Sequence, residues 1–130
     1  MRILLLMLGF LFFSGFVYAG DEEAEEPIIE YLEMKPKFTV NLAERKKYLQ
    51  INVQLMVEGS EAVEKIKTHF PALRHQLIML FSGRFAAELQ STEQREKLRL
   101  EALDTVRESL NKYTKTEGLK DLFFTEFLVN

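Results

Sequence analysis

Between Leu32 and Leu42 the apolar residues fall on even positions, Leu32, Met34, Pro36, Phe38, Val40 and Leu42, and the polar ones on odd positions, Glu33, Lys35, Lys37, Thr39 and Asn41. A period of two held over this length predicts a strand with one buried face. Pro36 has no N–H to give to a ladder, so this strand is expected at a sheet edge or broken at that residue. Leu49, Ile51, Val53, Leu55 and Val57 repeat the pattern in a second strand, with Gln50, Asn52, Gln54 and Glu58 opposite them and Met56 out of pattern. The short Ala43-Glu44-Arg45-Lys46 connection makes the two an antiparallel hairpin. A polar face on each strand implies an open, half-solvated sheet.

After Gly59 the period changes. Val63, Ile66, Phe70, Leu73, Leu77, Leu80 and Phe81 recur at helical spacing, and Ser60 is expected to cap the helix they form. Pro71 would remove a hydrogen bond from a continuous helix and clash with the preceding turn. It therefore predicts either a kink near Thr68 or two shorter helices with Pro71 in the first turn of the second. Ser82-Gly83 marks a break, and Ser91 with Gln94 three residues later is a capping-box pattern opening a long helix to about Tyr113. Leu98, Ala102, Val106, Leu110 and Tyr113 form its expected buried stripe. Glu93 with Lys97 and Glu108 with Lys112 are spaced to pair along it, each pair contributing roughly tenths of a kcal/mol. Gly118 then resets the backbone before Asp121–Asn130, an aromatic and β-branched run that would be an aggregation hazard unless paired with the upstream strands. The predicted class is α+β: a three-stranded, mainly antiparallel sheet with two or three helices on one face, in the order strand-strand-helix-helix-strand.

The amino terminus reads differently. Met1-Arg2 precedes an uncharged apolar stretch from Ile3 to Val17, and Val17 and Ala19 are the small or branched residues a signal peptidase inspects, which places cleavage between Ala19 and Gly20. The alternative is an uncleaved anchor, since the stretch stands at the lower limit of the roughly 17 to 25 residues that span a bilayer. Either way the remainder is expected to be exported. The chain divides into a leader over residues 1–19, an acidic linker over 20–29 and one domain over 30–130, a length that suits a single modest core. Zero Cys in an exported chain leaves stability to packing. The net charge of −3 is concentrated in Asp21, Glu22, Glu23, Glu25 and Glu26; without these and Arg2, 16 basic residues face 15 acidic ones. Nucleic-acid binding has no electrostatic footprint in such a body.

Candidate chemistry changes the picture little. His69 and His75 stand six apart, which on one continuous helix points them about 120° away from each other, so they could not share a metal as an i, i+4 pair does. No Ser sits in a nucleophile elbow, and Ser82-Gly83 follows a helix, where a phosphate loop follows a strand. Glu25 and Glu26 lie in the linker, where nothing would raise a carboxyl pKa. No catalytic residue, metal or cofactor is therefore predicted. The reading points instead to protein contact, with exposed Glu61, Lys65 and Arg74 on the helical layer as the candidate partner or oligomer surface.

Three separated segments carry a resemblance. Phe38-Thr39-Val40-Asn41-Leu42, the strand Tyr48-Leu49 followed by Val53 and Leu55, and the terminal Phe123-Phe124-Thr125-Glu126-Phe127-Leu128-Val129 together resemble the flagellar basal-body-associated protein FliL family, over roughly Tyr31 to Asn130. The resemblance implies a periplasmic domain at the flagellar motor that associates with the ion-driven stator proteins MotA and MotB and supports motility or swarming under load. It also implies a fold similar to the core of stomatin and prohibitin proteins, assembly into homo-oligomeric rings, and association with the inner membrane through the amino terminus or through partners. The family's usual member carries a basic cytoplasmic tail before one transmembrane helix; here that tail is Met1-Arg2. Two other classes remain in view, a periplasmic ligand-binding or sensor domain and a small periplasmic chaperone. The first needs a polar constellation inside an apolar pocket, the second an exposed hydrophobic patch.

Overall fold

The computed structural model describes residues 27–114 and 117–130. The leader, the peptidase site at Ala19 and Gly20 and the acidic run of the linker lie outside the described residues. Four strands, three α-helices and one 3₁₀ turn follow in order: β1 Ile29–Glu33, β2 Phe38–Asn41, β3 Tyr48–Glu58, α1 Ser60–Thr68, α2 Phe70–Phe81, the turn Ala86–Leu89, α3 Thr92–Tyr113 and β4 Leu119–Val129. Among the described residues no helix is long and apolar enough to cross a membrane.

The expected α+β class and element order hold, and the break at Pro36 is real. Instead of one edge strand, the chain makes β1, leaves the sheet at Pro36, and returns as β2. Both pair antiparallel with β3, β1 along Gln54–Glu58 and β2 along Tyr48–Ile51, while β4 pairs with β3 from Leu49 to Val57. The sheet is therefore three strands wide, built from four segments, with β3 at its centre. Pro36 itself is exposed, a correction to its placement on the buried row: a residue outside the ladder has no inward side to occupy.

Leu49, Ile51, Val53, Leu55 and Val57 are all fully buried. They face Phe38 and Val40 on one side and Leu119, Leu122, Phe124, Phe127 and Val129 on the other. Val63 and Ile66 of α1, Leu73, Leu77 and Phe81 of α2, and Leu98, Ala102, Leu103, Val106 and Leu110 of α3 complete the same core. Burying each fully enclosed Val, Leu, Ile or Phe of this layer contributes about 1.5–3 kcal/mol, so this layer is what fixes the helices to one face of the sheet. The opposite face carries half-exposed Gln50, Asn52, Gln54 and Glu58.

Pro71 produces two helices rather than a kink, and lies in the first turn of α2. The capping box of α3 forms as expected: the Gln94 N–H donates to Ser91 Oγ at 3.0 Å, and the Ser91 N–H donates to Gln94 Oε1 at 3.2 Å. Ser60 does not cap α1. Gly59, at φ 92°, takes that position and Ser60 is the first helical residue, because a turn in the left-handed region suits glycine. Tyr113 is 57% exposed and stacks on His69 at 4.9 Å, so the buried stripe of α3 ends at Leu110.

Candidate interaction surface

Helix α3 lies over β4, the strand that forms one margin of the sheet. The hydrogen bonds exchanged by Tyr48 and Asn130 in both directions fix the phase of the β3–β4 ladder. Because bonded and non-bonded pairs alternate in an antiparallel ladder, Leu128 and Glu126 turn their backbone groups toward β3, while Val129 and Phe127 turn theirs away from it. A register shift between Asn52 and Val53 resets the phase. Beyond it, Leu122 and Phe124 have outward backbone groups, as the Leu122 contacts confirm.

The half of this margin nearest Gly118 is closed by side chains. Arg99 Nη1 donates to Asp121 Oδ1 at 2.6 Å and to the Leu122 carbonyl at 3.0 Å, while the Leu122 N–H donates to Asp121 Oδ1 at 2.8 Å. Arg107 reaches the Lys120 carbonyl at 3.3 Å. Arg99 is held from behind by Glu96, which accepts from Nη2 at 2.6 Å and Nε at 2.9 Å. The Glu96 hydrogen bond, with Asp121 adding to it against the cost of burial, raises the Arg99 pKa further above its already basic value. The same hydrogen bond holds the Glu96 carboxyl below the ordinary carboxylate range. Arg99 is thus a fully committed cation.

Arg95, one turn earlier, is placed differently. Its Nε donates to the Leu89 carbonyl at 2.9 Å and its guanidinium lies 4.5 Å above the Phe127 ring. Among the described residues no carboxylate comes within ion-pair distance of it. Two open concavities meet at Arg95 and Phe127. One, about 490 Å³, is lined by Arg99, Glu96, Phe123 and Phe124; the other, about 420 Å³, by Lys47, Leu89 and Val129. The two adjoin beside the β4 margin, aromatic on the floor, with Arg95, Arg99 and Lys47 and one acid, Glu96, on the walls; Glu96 and Asp121 already neutralise Arg99, which leaves Arg95 as the cation open to an incoming group. This groove suits contact with an extended, acidic segment.

The residues expected to form a partner surface are divided. Glu61 and Lys65 pair at 3.1 Å on α1 and line a third concavity with Glu58 and Gly118. Arg74, on α2, is elsewhere. Its Nη1 donates to the Pro36 carbonyl at 2.6 Å, Nη2 to the Lys37 carbonyl at 3.3 Å, and its guanidinium lies 4.2 Å above Phe38, so it anchors the β1–β2 loop. His69 joins α1 to α2 and His75 is exposed on α2; among the described residues no group of three metal-ligating side chains forms. Among the described residues the buried core contains one polar residue, Ser109. Sequence reasoning missed Arg95, Arg99 and Arg107, although the four-residue spacing of the first two beside an aromatic terminal strand was a usable signal.

Residues 31–129 match the family model described as Flagellar basal body-associated protein FliL. The chain is 30% identical over 98 residues to the flagellar protein FliL of Aquifex aeolicus, covering 74% of this chain and 58% of that relative's length. It is 24% identical over 123 residues to the flagellar protein FliL of Escherichia coli K12, covering 93% of this chain and 80% of the relative. The Shigella flexneri protein of the same name matches to the same extent.

Proposed function

The chain belongs to the family of the flagellar basal body-associated protein FliL, and from that premise we propose that it is a non-enzymatic accessory protein of the flagellar motor. In this reading the leader directs export, and the folded domain works in the periplasm at the inner membrane, close to the basal body. There it associates with the stator formed by MotA and MotB and supports rotation when load is high. Homo-oligomeric rings of the domain, with Glu61 and Lys65 among the outward-facing positions, would brace the periplasmic part of the stator.

The observation that carries this is the family match from residue 31 to residue 129, which runs from within β1 to the last residue of β4 and so takes in the whole packed unit. The physical character of the domain supports it. Its surface offers grooves and ion-paired helices suited to protein contact, and an interaction of this kind contributes geometry rather than turnover. Such a contribution is felt most when the motor is loaded.

Deletion of the gene tests the reading. Flagella should still assemble, while swimming in viscous medium and swarming on a surface weaken, and a tagged chain should lose its position at the basal body when the stator proteins are removed. Normal motility in every medium, or localisation indifferent to the stator, overturns it.

A further inference from the structure

We propose that the unsealed half of the β4 margin, from Phe124 to Val129, accepts an extended acidic segment of a partner protein by strand addition. The inference goes beyond the motor reading and stands without it, because it rests on this sheet margin alone.

An open strand margin presents N–H and C=O groups that recruit another strand unless something covers them. This molecule covers part of the margin with its own side chains: Arg107 takes the Lys120 carbonyl, Arg99 the Leu122 carbonyl, and Asp121 the Leu122 N–H. Past Leu122 the covering stops. Phe127 and Val129 turn their backbone groups outward, and no hydrogen bond from a described residue reaches them. The sealing is selective, and the unsealed part is where the groove lies.

Side-chain chemistry then selects the occupant. A strand added here alternates its side chains between the two faces of the sheet. Those on the helical face fall beside Phe124 and Phe127, whose rings adjoin and the second of which carries Arg95. The rings favour apolar groups. The guanidinium, stacked and without a carboxylate among the described residues, favours an acid, since Arg binds carboxylate through charge-assisted bonds. Six residues of extended chain cover about 20 Å, so a segment of about five or six residues fills the margin.

Pairing with the β4 margin of a second copy of this chain is disfavoured by the same charges. Two β4 margins paired about a two-fold axis near Phe127 would bring Arg95 against its own equivalent on the same face, and like charges set opposite each other across strands are destabilising. An acidic strand from another protein has no such conflict.

The test uses the purified full chain and synthetic peptides of about ten residues. One alternates Val and Thr around a central Asp, a second carries Lys in place of the Asp, and a third keeps the Asp but has alternate backbone amides N-methylated. Binding is read by fluorescence anisotropy, and amide hydrogen exchange is read by NMR. The Asp peptide should bind roughly tenfold or more tightly than either control, as expected when a charged or a backbone hydrogen bond is lost. The Phe127 and Val129 amides should exchange more slowly as it saturates. Arg95→Gln should remove most of the preference for Asp over Lys. Equal binding of the N-methylated peptide, no saturable binding below about 1 mM, or unchanged exchange at Phe127 and Val129 each overturns the proposal. So does protection of those amides that appears without peptide and grows with protein concentration, which would assign the margin to a second copy.

Discussion

Gly118 lies where β4 begins, and an added methyl group there would have no room. A Cβ built on Gly118 falls 2.7 Å from the Glu58 carbonyl oxygen and against the Ala62 Cβ of α1. Neither neighbour retreats easily. The Glu58 N–H donates to the Gly118 carbonyl at 2.8 Å, so the two backbones are tied together, and Ala62 is held in a helix whose Val63 and Ile66 are buried. Gly118→Ala therefore sets two effects against each other. Overpacking against fixed neighbours costs about 1–3 kcal/mol. The stiffer unfolded chain returns about 0.4–1 kcal/mol, because Gly118 is not in the left-handed region and alanine tolerates its φ. The clash wins, leaving a net loss of about 1–2 kcal/mol, which lowers the melting temperature of a domain of this size by roughly 5–15 °C. Thermal melts followed by far-ultraviolet circular dichroism read this directly. The double variant Ala62→Gly with Gly118→Ala separates the causes. It should be less damaged than the sum of the two single changes, since the side-chain part of the clash is gone. A Gly118→Ala melt equal to or above the parent, or strict additivity in the double variant, would refute the close-approach argument and leave Gly118 as a mere flexible joint.

Three further outcomes follow from the same geometry. Val53→Asp, which places an unpaired charge at a fully buried position opposite Phe124, should cost several kcal/mol against a total of about 5–15 and abolish the cooperative melt. Arg74→Ala should lower stability by about 1–2 kcal/mol in urea titrations, through loss of its Phe38 stack and its carbonyl bonds in the β1–β2 loop; Lys65→Ala, which removes one exposed pair, should stay within about 0.5 kcal/mol of the parent. Glu96→Gln should flatten the acid side of the stability profile: the Glu96 carboxyl is depressed by Arg99 in the folded state, so its contribution is complete above its ordinary value of 4.5 and is lost as pH falls through the lower folded value. Urea midpoints measured at steps down through that range should fall more steeply for the parent than for the variant, and parallel curves would show that the pair contributes nothing.

Most features whose cause is local were legible in the sequence, the cap of α1 at Gly59 in place of Ser60 being an exception. Alternation along Leu32–Leu42 and Leu49–Val57 named the inward rows, and each of Leu49, Ile51, Val53, Leu55 and Val57 is buried. A period of two leaves only one choice of face once a core exists. Ser91 and Gln94 set the start of α3, and Pro71 divided α1 from α2, because capping and the missing proline N–H act within one turn. What the sequence left open was every choice between competing partners at a distance. Glu93–Lys97 and Glu108–Lys112 have the spacing to pair, yet neither is within ion-pair distance, whereas Arg99 joins Glu96 and also reaches Asp121, 22 positions away. An exposed helical pair is worth tenths of a kcal/mol and yields readily to side-chain entropy, while a half-buried arginine holding a carboxylate and a backbone carbonyl does not. Tyr113 has the right spacing for the buried stripe, but its ring is exposed and stacks on His69 instead. The groove at Arg95 belongs to the same class of fact. It exists because β3 takes the centre of the sheet, which leaves β4 at the margin under α3, and only the packing of the whole chain decides which strand ends with its backbone exposed.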